Sequence, residues 1–145
     1  MPKAKGFFST ADEMMILNAI RHAESNTSGE IRVHVEDRCK TDVLDRASQV
    51  FDLLKMQKTK LRNGVLFYLA VKDKKFAIIG DAGINEKVAD DFWDEIKTLL
   101  LQDFKKGEFA KGLADGIMKA GDQLKAHFEY MDDDVNEVPD DISYA

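Results

Sequence analysis

The sequence has one cysteine, Cys39, so no internal disulfide can form. It has no apolar run of about 18 residues; the longest, Val65–Val71, is strand-sized, which argues against a membrane-spanning helix. Met1–Phe8 lacks the basic-then-apolar order of an export leader, and a cytoplasmic location is expected. Clustered basic residues are missing too. Lys and Arg are interleaved with acids and the net charge is −6, so nucleic acid is not an expected partner. Familiar catalytic signatures are absent: there is no Gly-x-Ser-x-Gly elbow, no phosphate-binding Walker loop, no Gly-x-Gly-x-x-Gly, and no Cys or His pair at zinc spacing. Cys39 reads as a spare thiol. His34 reads as a polar-face strand residue.

What remains is one domain's worth of globular sequence: 145 residues, 44% hydrophobic and 33% charged. A first helix opens at Ser9 or Thr10, where Thr10-Ala11-Asp12-Glu13 fits a capping box, with Met14, Leu17 and Ile20 near helical spacing. In Glu30–Glu36, Ile31, Val33 and Val35 alternate with Arg32, His34 and Glu36, the period of a strand. A second helix carries Val43, Ala47, Val50, Phe51 and Leu54, and a basic turn, Lys55–Asn63, follows. Gly64–Val71 is apolar on both faces and reads as the central strand. Asp73-Lys74-Lys75 is too short for a crossover, so Phe76–Ile79 should return antiparallel. Two further helices are expected, one from about Asp90 and one after Gly107. The order α-β-α-β-β-α-α implies an α/β fold, a three-layer α-β-α sandwich around a mixed sheet of about four strands. The pattern places three of those strands and leaves an additional edge strand without a position.

The ending, Asp132–Asp141, has no periodicity. Read as a calcium loop from Asp132, it puts Glu137 where Gly is needed and Ser143 where Glu is needed, so residues 131–145 are expected to form a solvated acidic tail.

The segment richest in chemistry is Gly80-Asp81-Ala82-Gly83-Ile84-Asn85-Glu86. It follows a strand and precedes a helix, the edge where open α/β sheets place ligands. Asp81, Asn85 and Glu86 are hard oxygen donors, and Asp90 and Asp91 follow at the helix start, where carboxylates also serve as caps. An irregular oxygen-rich loop suits calcium, with magnesium or another divalent cation as the alternative.

Four segments resemble the TPM domain family. Thr27-Ser28-Gly29-Glu30-Ile31 is similar to its Thr-Gly-(Ala or Ser)-Glu-Ile signature, and Asn63-Gly64-Val65-Leu66 to its Asn-Gly-hydrophobic segment. Gly80-Asp81-Ala82-Gly83-Ile84 resembles its Gly-x-Gly-Leu-Glu loop with one residue inserted, and Phe104–Leu113 resembles Phe-x-x-Gly-x-Tyr-x-x-Gly-Leu. The resemblance spans about residues 7–130, so residues 1–130 are assigned to a TPM domain. It implies an α-β-α sandwich with divalent metal, usually calcium, tying crossing loops near the sheet edge. Carried over by position, it implies Glu30, Asp81 and Asp90 as ligands. Asn85 stands where many members have Glu, and Glu86 and Asp91 join by proximity. Glu30 could instead cap the turn at Gly29. The acidic ending is shared with stand-alone TPM domains. Family members have been associated with acid-phosphatase activity, which gives two competing expectations. One is a metal-responsive binding or regulatory module with a protein partner of unknown identity. The other is a metal-dependent phosphohydrolase, which needs cations to hold phosphate. Only Lys87 and Arg32 stand out near the loop, and that shortage favours the module. A scaffold whose metal only stabilises a loop is a third expectation.

Overall fold

The computed structural model describes residues 6–25, 27–128 and 142–144. In chain order the elements are α1 (Thr10–Glu24), β1 (Glu30–Glu36), α2 (Val43–Leu53), a 3₁₀ turn (Met56–Lys58), β2 (Gly64–Ala70), β3 (Lys75–Gly80), α3 (Ala82–Asn85), α4 (Phe92–Lys105), α5 (Phe109–His127) and β4 (Ile142–Tyr144). The sheet order is β3-β2-β1-β4. β1 runs parallel to both β2 and β4, and β3 returns antiparallel along β2. The expected α/β sandwich with a four-stranded mixed sheet is therefore present.

The apolar pattern explains the layers. Ile31, Val33, Val35, Val65, Phe67 and Leu69 face one side of the sheet and share a core with α1, α4 and α5. Leu66, Tyr68 and Ala70 face the other side, beneath Ala47, Val50 and Phe51 of α2. Each fully buried aliphatic or aromatic side chain contributes about 1.5–3 kcal/mol, so both faces of β2 drive the fold.

One local expectation is narrowed and three are corrected. Of the two openings the sequence offers, α1 uses Ser9, whose Oγ accepts from Asp12 N at 3.0 Å, in place of the Thr10 box. The Gly80–Lys87 loop contains the single-turn α3, and α4 starts at Phe92 rather than Asp90. Residues 142–144 are not a solvated tail: Ile142 is buried, and the segment pairs with Val33–Val35 as the missing edge strand. Three residues are too few to show a period, which is why the pattern could not place them. The remainder of the acidic ending, 129–141, lies outside the described residues.

Candidate functional site

The amino ends of β1 and β2 and the carboxyl end of β3 meet at one sheet edge. Glu30 lies opposite Gly64, and Asp81 N donates to Gly64 O at 2.9 Å, so Gly64 has a carboxylate residue on either side. At the usual strand spacing the two backbones are about 10 Å apart. Thr27 and Ser28 fasten this edge to α5: Thr27 Oγ1 donates to Leu124 O at 2.9 Å, and Ser28 N donates to Phe128 O at 3.1 Å. Asn63 Nδ2 reaches Ser28 Oγ at 3.4 Å. The segments around Thr27, Asn63 and Gly80 thus converge in space.

The edge is not the one the sequence suggested. β3 is antiparallel to β2, so the Gly80 turn sits at the amino ends of the parallel strands, whereas open α/β sheets favour ligands at the carboxyl ends.

Asp81 is buried, and its carboxylate is already balanced. Arg62 Nε and Nη2 donate to Oδ2 and Oδ1 at 2.7 and 2.8 Å, and Ala82 N donates to Oδ1 at 2.8 Å as the α3 cap. The Arg62 side chain is 51% exposed and the Asp81 side chain 6%, so a surface guanidinium neutralises an interior carboxylate. Hydrogen bonding to Asp81 raises the Arg62 pKa further, and the arginine stays charged. Arg62 holds φ +52°, the left-handed region, and its carbonyl accepts from Gly83 N at 2.8 Å. A Cβ on Gly83 would lie 2.0 Å from Leu61 O. Gly83 therefore allows two backbones to touch, and that contact sets Arg62 beside Asp81.

The remaining expected ligands are placed as follows. Glu30 is buried at the first position of β1. Asn85 Nδ2 donates to Gly80 O at 2.7 Å and its Oδ1 accepts from Trp93 Nε1 at 2.8 Å, so its amide bridges β3 to α4. Glu86, Asp90 and Asp91 are exposed, and Asp91 precedes α4 without a side-chain capping bond. Among the described residues no three His, Cys, Asp or Glu side chains group closely enough to hold a metal. The donor chemistry divides the set. Glu30 and Asp81 are buried hard oxygens at one edge, and Asp81 takes the Arg62 guanidinium as its cationic partner. Asn85 is committed elsewhere. The arrangement fits a cation that competes with Arg62, not a preformed cage.

Beside Arg62 lies a recess of about 190 Å³ lined by Ser48, Asp52, Gln57, Arg62, Gly80 and Asp81. In the sequence Arg62 is one of several cations in the basic turn Lys55–Asn63. The signal available was an arginine directly before Asn63-Gly64, but its partner lies 19 residues away in sequence.

A second polar cluster occupies the carboxyl end of β1. Arg46 Nε and Nη2 donate to Glu36 Oε2 and Oε1, each at 2.8 Å, Tyr68 OH donates to Oε2, and His34 Nε2 lies 3.2 Å from Oε1. Burial alone raises the Glu36 pKa, but these bonds more than reverse that and bring it to about 2. Burial lowers the His34 pKa, with Glu36 opposing, and burial followed by the Glu36 bond raises that of Tyr68. Glu36 and Arg46 also line a recess of about 480 Å³ with Asp37, Arg38, Lys40, Thr41 and Gln49. Cys39 is buried here, its thiol donating to Thr41 O at 3.2 Å.

This doubly covered mixed sheet with its Thr27, Asn63 and Gly80 edge defines an α/β domain of one family. The TPM domain matches residues 3–123, and the chain belongs to the TPM domain family. Among solved structures it is similar to the BA42 protein of the psychrophilic bacterium Bizionia argentinensis, at 52% identity and a TM-score of 0.90 over 100% of both chains. It shares its fold with the N-terminal domain of a P. gingivalis protein (19% identity, TM-score 0.70, 87% of this chain and 83% of that one). The N-terminal domain of the Corynebacterium glutamicum protein cg2496 also shares it (15% identity, TM-score 0.61, 82% and 75%). No curated protein matches. No helix among the described residues is long and apolar enough to cross a membrane.

Proposed function

We propose that this TPM domain is a cation-responsive binding module, with calcium as the preferred ion. One observation carries the reading: two buried carboxylate residues, Glu30 and Asp81, share a sheet edge, and the charge on Asp81 is held by a half-exposed guanidinium. A divalent cation and Arg62 then compete for one carboxylate. Arg62 balances Asp81 without metal, and the exposed Glu86, Asp90 and Asp91 supply additional oxygen when the ion takes its place. A weak, tunable affinity follows, as for oxygen sites that are not rigid. Exchange of Arg62 for the ion alters the surface around the 190 Å³ recess, which is where a protein partner would sense it.

The test is thermal unfolding in chelator and in millimolar calcium. Wild type should melt higher with calcium by mass action, and Asp81→Asn should not respond. An unchanged wild-type melting temperature would defeat the reading.

Arg62 also favours a second reading, a metal-dependent phosphohydrolase, because it puts a phosphate-binding cation beside Asp81. The module reading expects hydrolysis of phosphomonoesters at background with calcium, magnesium or manganese. Robust turnover lost in Asp81→Asn would establish the enzyme instead.

A further inference from the structure

β4 is short, and each of its three residues is held by a different feature of the fold. The backbone pairs Ile142, Ser143 and Tyr144 with Val33, His34 and Val35 in parallel register. Ile142 is buried in the main core and Tyr144 packs against it, while Tyr144 OH donates to Glu13 Oε2 of α1 at 2.8 Å. Ser143 points to the opposite face, where its Oγ lies 2.6 Å from His34 Nδ1 and 3.4 Å from Val33 O. His34 is itself set by Glu36 at 3.2 Å, and Glu36 by Arg46 and Tyr68. With Nε2–H donated to the ionised Glu36, Nδ1 is left to accept a hydroxyl proton. The edge of β1 therefore carries an apolar seat, a hydroxyl reader and an aromatic seat ending in a carboxylate acceptor. That is the division of labour in strand addition, in which the ladder supplies affinity and alternate side chains supply specificity.

The covalent connection does not force this pairing. Ser28 N donates to Phe128 O, so the end of α5 lies at the start of β1, and Ile142 sits beside Val33. Val33 is five residues on from Ser28, about 17 Å at the rise of extended chain. Residues 129–141 make thirteen residues of chain, which can span about 45 Å. The connection is therefore long enough to reach the edge without dictating which residues pair there.

We infer that the outer edge of β1 is a peptide-docking edge that reads an extended apolar–hydroxyl–aromatic segment in parallel, and that the chain's own Ile142–Tyr144 fills it in cis. The partner it fits is a protein offering that triplet as an extended segment. The inference is independent of the cation reading, because β4 lies on the opposite side of β1 from β2.

The test uses the full chain and a labelled octapeptide of the sequence Val138–Ala145. Ile142→Asp with Tyr144→Asp puts charge into both apolar seats and should free the edge. That variant, shown to be folded by near-ultraviolet circular dichroism, should bind the peptide at least tenfold more tightly than wild type. Peptide-induced amide shifts should centre on Val33–Val35, and a peptide with Ala at the serine position should bind at least fivefold more weakly. If the double variant does not fold, Ser143→Ala with Tyr144→Phe takes its place with the same expectations. A folded variant that ignores the peptide, or equal binding by variant and wild type, overturns the inference.

Discussion

Arg62 and Gly83 act together, although neither resembles a ligand. Gly83→Ala drives a Cβ into Leu61 O, backbone against backbone, and should cost on the order of 2–3 kcal/mol while loosening the Arg62–Asp81 pair. Chemical denaturation measures the cost, and a loss below about 0.5 kcal/mol would show that the contact yields easily. Arg62→Gln leaves the buried Asp81 carboxylate without its cation. The variant should melt below wild type in chelator and gain more from calcium than wild type does. Equal calcium gains would separate Arg62 from the cation site.

Glu36 and His34 set the acid response. Glu36 has its folded pKa held below the ordinary value of 4.5, so its contribution is present above pH 4.5 and is lost as pH falls toward about 2. The shift corresponds to up to about 3 kcal/mol before solvent screening is allowed for. His34 is lowered from 6.5, so the unfolded chain takes up its proton first and stability declines as pH falls below 6.5. Stability should thus decline in two stages, and Glu36→Gln should remove most of the second. Urea midpoints from pH 7 to pH 3 test this, and a flat profile in both proteins would contradict it.

At the scale of elements, the strong periods were legible: β1, β2, β3, α2 and α5 lie where the spacing put them, because each has one or two wholly apolar faces. β4 was illegible because three residues show no period, and Ser143 and Tyr144 are held by His34 and Glu13, which are distant in sequence. The candidate site was half legible. Glu30 and Asp81 share an edge as the motifs implied, but strand direction decides which edge, and a sequence period carries no direction. The Gly80–Lys87 segment proved to be pinned by buried Ile84, by the Asn85–Trp93 bond and by Gly83. Hydrogen exchange should therefore show calcium-dependent protection at Arg62 and from Glu86 to Asp91, with α3 and α5 little changed. Protection spread evenly over the domain would mean that the ion acts elsewhere.

At the scale of the molecule, the net charge of −6 draws divalent cations to the whole surface, and salt screens that attraction. A specific site must therefore survive physiological salt. The most direct measurement is a calcium titration followed by residue-resolved NMR at 0.15 M salt, run on wild type and on Arg62→Gln. The account predicts saturable shifts at Glu30, Arg62–Gly64 and Gly80–Asp91, with tighter binding in Arg62→Gln because the competing guanidinium is gone. Shifts that never saturate, that centre on the Glu36–Gln49 recess, or that weaken in Arg62→Gln would contradict it.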